Sequence, residues 1–168
     1  MTSAARIKAL VDEVVRLGNV MRRRDGLDDE LAVTAGPADE AALAQVRSQL
    51  AGRVPPSFVT LLAIYDGIAR FEWLDVSIHG ARHLCAHPML DADYELTEWA
   101  ALSPYCAGSI FVFGEGELGM LLGFLVDEPD ADGELPVMLF DAKGPIWRFP
   151  TLVTYLEGRL AWFQQHAA

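Results

Sequence analysis

Between residues 83 and 142 the chain runs 60 residues without a lysine or arginine and places twelve carboxylates in that span. They are Asp91, Asp93, Glu95, Glu98, Glu115, Glu117, Asp127, Glu128, Asp130, Asp132, Glu134 and Asp141. Burying a carboxylate without a partner is expensive, so acids with no cation near them in sequence belong in water. The same span holds the most apolar runs of the protein, residues 110–113 and 118–126, which a disordered acidic tail lacks. Together these facts call for a folded, β-rich unit with apolar strands inside and acids on its rim and loops. Such a surface attracts cationic partners and repels nucleic acid and anionic lipid.

A chain of 168 residues has enough length to bury a real core. Its charge is uneven. Residues 1–35 carry six acids and six bases, whereas residues 36–168 carry eighteen acids and seven bases, a net charge of −11. This contrast divides the chain into an N-terminal helical extension, 1–35, and an α+β domain, 36–168. Cys85 and Cys106 form no disulfide framework and read as reduced thiols in a cytoplasmic setting. The first residues lead into a charged amphipathic pattern rather than a signal peptide. The longest apolar run is too short to span a bilayer as a helix. A soluble, cytoplasmic protein is therefore expected.

Ile7, Leu10, Val11, Val14, Leu17 and Met21 recur at helical spacing, with Ser3 placed to cap the start and Asp25-Gly26 to end it. Arg22, Arg23 and Arg24 crowd the last turn, where the helix dipole favours positive charge. A second helix is expected over residues 38–51, with Leu43, Val46 and Leu50 as its apolar stripe. Pro55-Pro56 breaks it and opens a third, carrying Phe58, Leu61, Leu62 and Tyr65 and stopped by Gly67. The period then drops to two: Leu74, Val76 and Ile78 alternate with Asp75 and Ser77. A short helix is expected at 91–102. Strands are expected at 109–113, 118–126, 135–141 and 146–149, and Pro150 opens a closing helix. Tight turns between successive strands imply antiparallel pairing. The expected class is α+β, an antiparallel sheet of about 4–6 strands flanked by helices.

Several sharper chemistries fail on context. Gly114-x-Gly116-x-x-Gly119 has dinucleotide-fingerprint spacing, but that fingerprint needs a helix N-terminus after it, and here an apolar strand follows. Glu115 and Glu117 would also face the phosphates as like charges. His79, His83 and His87 recur every four residues with Cys85 among them, a zinc-like pattern on a continuous helix. Gly80 and Pro88 interrupt that helix, so loop or edge histidines are expected, with no metal and no cofactor. Paired carboxylates need a cleft and one raised pKa, and a Cys–His nucleophile needs a flanking motif that is missing here. No enzyme is expected. Among the tryptophans, Trp147 and Trp162 read as core. Trp73 is either an exposed anchor or a residue covered by the N-terminal helix, and Trp99 reads as the aromatic centre of an acidic segment.

Four landmarks resemble the SMI1/KNR4 family, also called the SUKH superfamily. They are Val54-Pro55-Pro56-Ser57-Phe58 leading to Tyr65-Asp66-Gly67; Ile110 to Gly114 with Glu115-Gly116-Glu117-Leu118-Gly119; Pro136-Val137-Met138-Leu139-Phe140; and Phe149-Pro150-Thr151-Leu152 leading to Tyr155-Leu156. Arg148 stands where the family has a serine, and residues 1–35 have no counterpart. The resemblance implies a sheet flanked by helices and a non-enzymatic role, since many bacterial members are immunity proteins that neutralise toxins. The expectation is an immunity protein that occludes the basic active-site groove of a cognate toxin, possessing no nucleic-acid or membrane partner. The alternative is an intracellular scaffold or adaptor without a toxin. The residues expected to bind the partner are Glu72, Trp73, Asp75, Asp91, Asp93, Glu95, Glu98, Trp99, Glu115 and Glu117. The apolar stripe of the N-terminal helix is expected to cover either the sheet or another chain, the second of which would give self-association.

Overall fold

The computed structural model describes residues 3–72, 75–87, 110–141 and 144–167. Among them are five helices: α1 (Ala4–Arg24), α2 (Glu40–Gln49), α3 (Pro56–Ile64), α4 (Ala81–Ala86) and α5 (Leu152–His166). Seven strands accompany them: β1 (Val33–Thr34), β2 (Ile68–Ala69), β3 (Ser77–Ile78), β4 (Ile110–Glu115), β5 (Leu121–Leu125), β6 (Val137–Asp141) and β7 (Gly144–Phe149). The strands form one antiparallel sheet whose spatial order follows the chain, β1 to β7. The class is α+β. The sheet has more strands than the four to six expected, because β1 and β2 are two-residue pairings too short to leave a periodic signal.

Local chemistry explains the helix ends. Ser3 accepts a hydrogen bond from Arg6 N at the start of α1, and Asp39 accepts one from Ala42 N at the start of α2. Pro56 is the first residue of α3, where its missing N–H costs nothing. At α5 Thr151 and Thr154 form a reciprocal capping box, so the helix begins just after Pro150. Two expected strands are shortened. Gly119 lies at φ 72°, and the turn Glu117–Gly119 replaces the first part of the run expected over 118–126. Asp75 lies at φ 56° in a turn closed by Glu72 N donating to Val76 O, so among the described residues of that run only Ser77–Ile78 is strand. The expected helix at 91–102, with Trp99, and also Cys106, lies outside the described residues.

One face of the sheet packs on the helices. Phe111, Phe113, Leu122, Phe124, Val137 and Leu139 meet Phe58, Leu61 and Leu62 of α3, Tyr155, Leu156 and Phe163 of α5, and the stripe of α1. Phe58 stands between Phe113 and Phe124, with ring centroids 5.0 and 5.2 Å away. The opposite face carries a second buried cluster of Ile110, Val112, Leu121, Leu125, Met138 and Phe140. Residues 4–24, read from charge as an appendage, contribute Ile7, Val11, Val14, Leu17 and Met21 to the main core. Of the two uses expected for this apolar stripe, the structure shows the one within the chain.

Ile7 is fully buried in α1. Ile7→Ala is expected to lower stability by about 2–5 kcal/mol, and Val33→Ala, at a site 61 % exposed, by less than about 0.5 kcal/mol. Urea unfolding followed by circular dichroism measures both. A neutral Ile7→Ala would show that α1 is dispensable to the core.

Candidate functional site

The β4–β5 turn places Glu115 and Glu117 at one end of the sheet, both exposed. Its shape is enforced by close packing. A Cβ on Gly116 would come within 2.7–2.8 Å of three Val76 atoms, so no other residue fits without moving the neighbouring hairpin. Gly116 N donates to Met120 O at 2.9 Å, and Ser77 pairs with Glu115 across the ladder. The two carboxylates thus sit on a turn braced by backbone, and holding them there needs little further ordering.

Glu72 corrects the sequence reading. It was expected at the surface, but it is 4 % exposed and forms the hub of an internal network. Tyr155 donates its hydroxyl to Glu72 Oε1 at 2.5 Å, and Arg159 Nη2 stands 2.7 Å from Glu72 Oε2. Arg22, 1 % exposed, donates from Nη2 to the Glu72 carbonyl at 2.6 Å and lies 3.5 Å from Asp75. Burial pulls Arg22 below its ordinary pKa while Asp75 opposes that pull, and burial beside Glu72 pushes Tyr155 well up. Asp75, expected among the partner-binding residues, is half-buried and lies beside Arg22, so it reaches solvent only in part. Trp73, Asp91, Asp93, Glu95, Glu98 and Trp99 lie outside the described residues.

The described acids of the cation-free span do not form one face. Glu115 and Glu117 occupy one end of the sheet, and the β5–β6 loop carries its own acids at the other. In that loop Glu128 pairs with Arg148 at 2.5 Å. Asp130 Oδ1 accepts from the backbone N of Asp132 and of Glu134, each at 2.9 Å. Glu134 accepts from Ser57 N at 3.0 Å and from the Ser57 hydroxyl, at the N-terminus of α3 where the helix dipole favours an anion. Glu128 and Glu134 thus reach partners in other elements and Asp130 closes the loop on itself, pairings that sequence spacing could not reveal.

His79, His83 and His87 do come together, although α4 covers only Ala81–Ala86. Their ring centroids stand 4.3 Å apart (His79 to His83) and 5.2 Å apart (His83 to His87). Stacked rings aim their nitrogens sideways, and among the described residues no group of three or more His, Cys, Asp or Glu converges on a metal position. His79 Nε2 is buried without a hydrogen-bond partner and lies 3.7 Å from Glu115 Oε1. Burial and the adjacent His83 lower the His79 pKa to about 4, against the pull of Glu115. Burial pushes the Cys85 thiol up, the reverse of what a nucleophile needs.

Trp147, expected in the core, is 44 % exposed on β7. Its ring lies 5.2 Å from the Arg159 guanidinium, whose other neighbours are Trp162 at 5.0 Å and Phe163 at 5.6 Å. Proline within a strand marks a sheet edge, so Pro145 was the signal that would have placed Trp147 outside. The chain matches no family model and no curated protein.

Glu72→Gln leaves Arg159 buried without its carboxylate partner. It is expected to cost about 3–5 kcal/mol in urea unfolding, while Glu117→Gln changes stability by less than about 0.5 kcal/mol. Between pH 6.5 and about 4 the unfolded chain holds a proton on His79 that the folded chain excludes. Stability therefore rises with pH across that window and falls on acidification, by up to about 3 kcal/mol. His79→Gln is expected to flatten this part of the stability–pH curve, and an unchanged slope would remove His79 as its source.

Proposed function

We propose that the chain is a non-enzymatic protein-binding module of the immunity type, which neutralises a toxin by covering its basic active-site groove. The observation that carries this reading is the turn bearing Glu115 and Glu117: two exposed carboxylates on a backbone fixed by Gly116 against Val76. Grooves that hold phosphates are basic, and a rigid anionic turn is complementary to them without paying for ordering on contact. The net charge of −11 adds long-range attraction for a cationic protein. The likeness of the Pro55-Pro56, Glu115–Gly119 and closing-helix segments to SMI1/KNR4 proteins points the same way. Charge of this kind acts mainly on the association rate, which reaches roughly 10⁸ M⁻¹s⁻¹ at low salt in steered pairs. Slow dissociation then comes from a few buried aromatic anchors.

The test is association with the protein encoded beside this gene, followed by stopped flow at two salt concentrations. The double variant Glu115→Lys/Glu117→Lys is expected to associate more slowly and with a flatter salt dependence. Unchanged kinetics would remove the turn from the interface.

A further inference from the structure

The last strand of the sheet presents a surface that the proposed function does not use. Among the described residues β7 pairs with β6 alone, leaving its other side as a sheet edge. Exposed edges are normally short, charged or covered, because their open N–H and C=O groups invite pairing with another chain. The opposite edge, β1, follows that rule with two residues. β7 has six, and four in succession, from Pro145 to Arg148, are exposed. Two of the four are large and apolar: Ile146 is 39 % and Trp147 44 % exposed.

Trp147 is not loose. It rests on Arg159, which is itself buried and paired with Glu72. An aromatic side chain held this way loses little entropy when a partner covers it. Where β7 ends, an open groove of about 620 Å³ is walled by Pro129, Pro136 and Pro150 and carries Glu128, Asp130 and Arg148. Arg148 offsets only one of the two carboxylates.

We propose that β7 and this groove form a docking edge for an extended, positively charged segment of a partner protein, which joins the sheet as an eighth strand. Its backbone pairs with β7, an apolar side chain covers Trp147, and a lysine or arginine enters the groove beside Asp130 and Glu128. This is strand addition, in which main-chain bonds give affinity and alternate side chains give selectivity. Charge selects the occupant. A second copy of this chain would bring another −11 to the edge, whereas a basic segment meets a complementary field. The site is separate from the Glu115–Glu117 turn and does not depend on what that turn binds.

The probe is a synthetic ten-residue peptide alternating lysine and valine, titrated calorimetrically into the full chain at low salt. Two control peptides accompany it: the same sequence N-methylated at alternate residues, which keeps the charge but cannot pair, and a glutamate–valine version. The lysine–valine peptide is expected to bind, to slow hydrogen exchange of β7 amides, and to lose roughly tenfold affinity on N-methylation. Ile146→Lys, at an exposed position, is expected to weaken it similarly, while Glu115→Lys/Glu117→Lys leaves the β7 protection in place. Equal binding by the N-methylated peptide would reduce the effect to charge attraction and overturn the proposal. So would unchanged affinity in Ile146→Lys, or β7 protection that rises with protein concentration in the absence of peptide, which would mark a self-pairing edge.

Discussion

One buried carboxylate ties the molecule together. Glu72 sits in the hairpin between β2 and β3, yet its bonds reach Arg159 and Tyr155 on α5, and its backbone carbonyl takes Arg22 from α1. Taking two guanidiniums and a carboxylate out of water costs several kcal/mol for each ion, and their mutual attraction repays it only when the geometry is good. Such a cluster adds little net stability over a well-packed apolar one. What it adds is a single permitted arrangement, because sliding either helix would strand a charge. Even so, Arg22 Nη1 and Arg159 Nε lack hydrogen-bond partners, and Arg159 is compensated by the ring faces around it.

That arrangement governs the surface. Arg159 is held by Glu72 on one side and supports Trp147 on another, so an internal ion pair sets the attitude of an exposed tryptophan. Arg22 reaches Asp75, whose left-handed backbone sharpens the hairpin, and Val76 of that hairpin is what Gly116 packs against. The acidic turn and the β7 edge are thus both supported, through a few contacts, by the same residue, the first through the Glu72 carbonyl and the second through its carboxylate.

The helices α1, α2, α3 and α5 were legible from apolar spacing and from start signals at Ser3, Pro55-Pro56 and Pro150, while the capping roles of Asp39 and Thr151 came only with the structure. The longer strands were legible from their apolar runs. β1 and β2 were not, since a two-residue strand exists only through its neighbour's register. Glu72 was misread for a related reason. In sequence it is an acid beside a tryptophan, and its partners lie in helices at the two ends of the chain. The acids of the β5–β6 loop posed the same difficulty: Glu134 looks like rim charge until Ser57 is brought to it from 77 residues away. Pairings over such separations leave no local pattern. By contrast, the exposed bend carrying Glu115 and Glu117 was legible from the glycines around them, although its shape is fixed by the contact of Gly116 with Val76.

The two longest helices lie side by side and run the same way, with Arg6 bonded to Glu157 near their starts and Arg24 bonded to the His166 carbonyl near their ends. More than 100 residues of chain separate them, so a ribosome delivers α1 well before α5. Until α5 emerges, the apolar stripe of α1 has α3 to pack on but lacks the rest of its cover. A chain cut short before α5 would therefore expose apolar surface on α1, far in sequence from the cut itself.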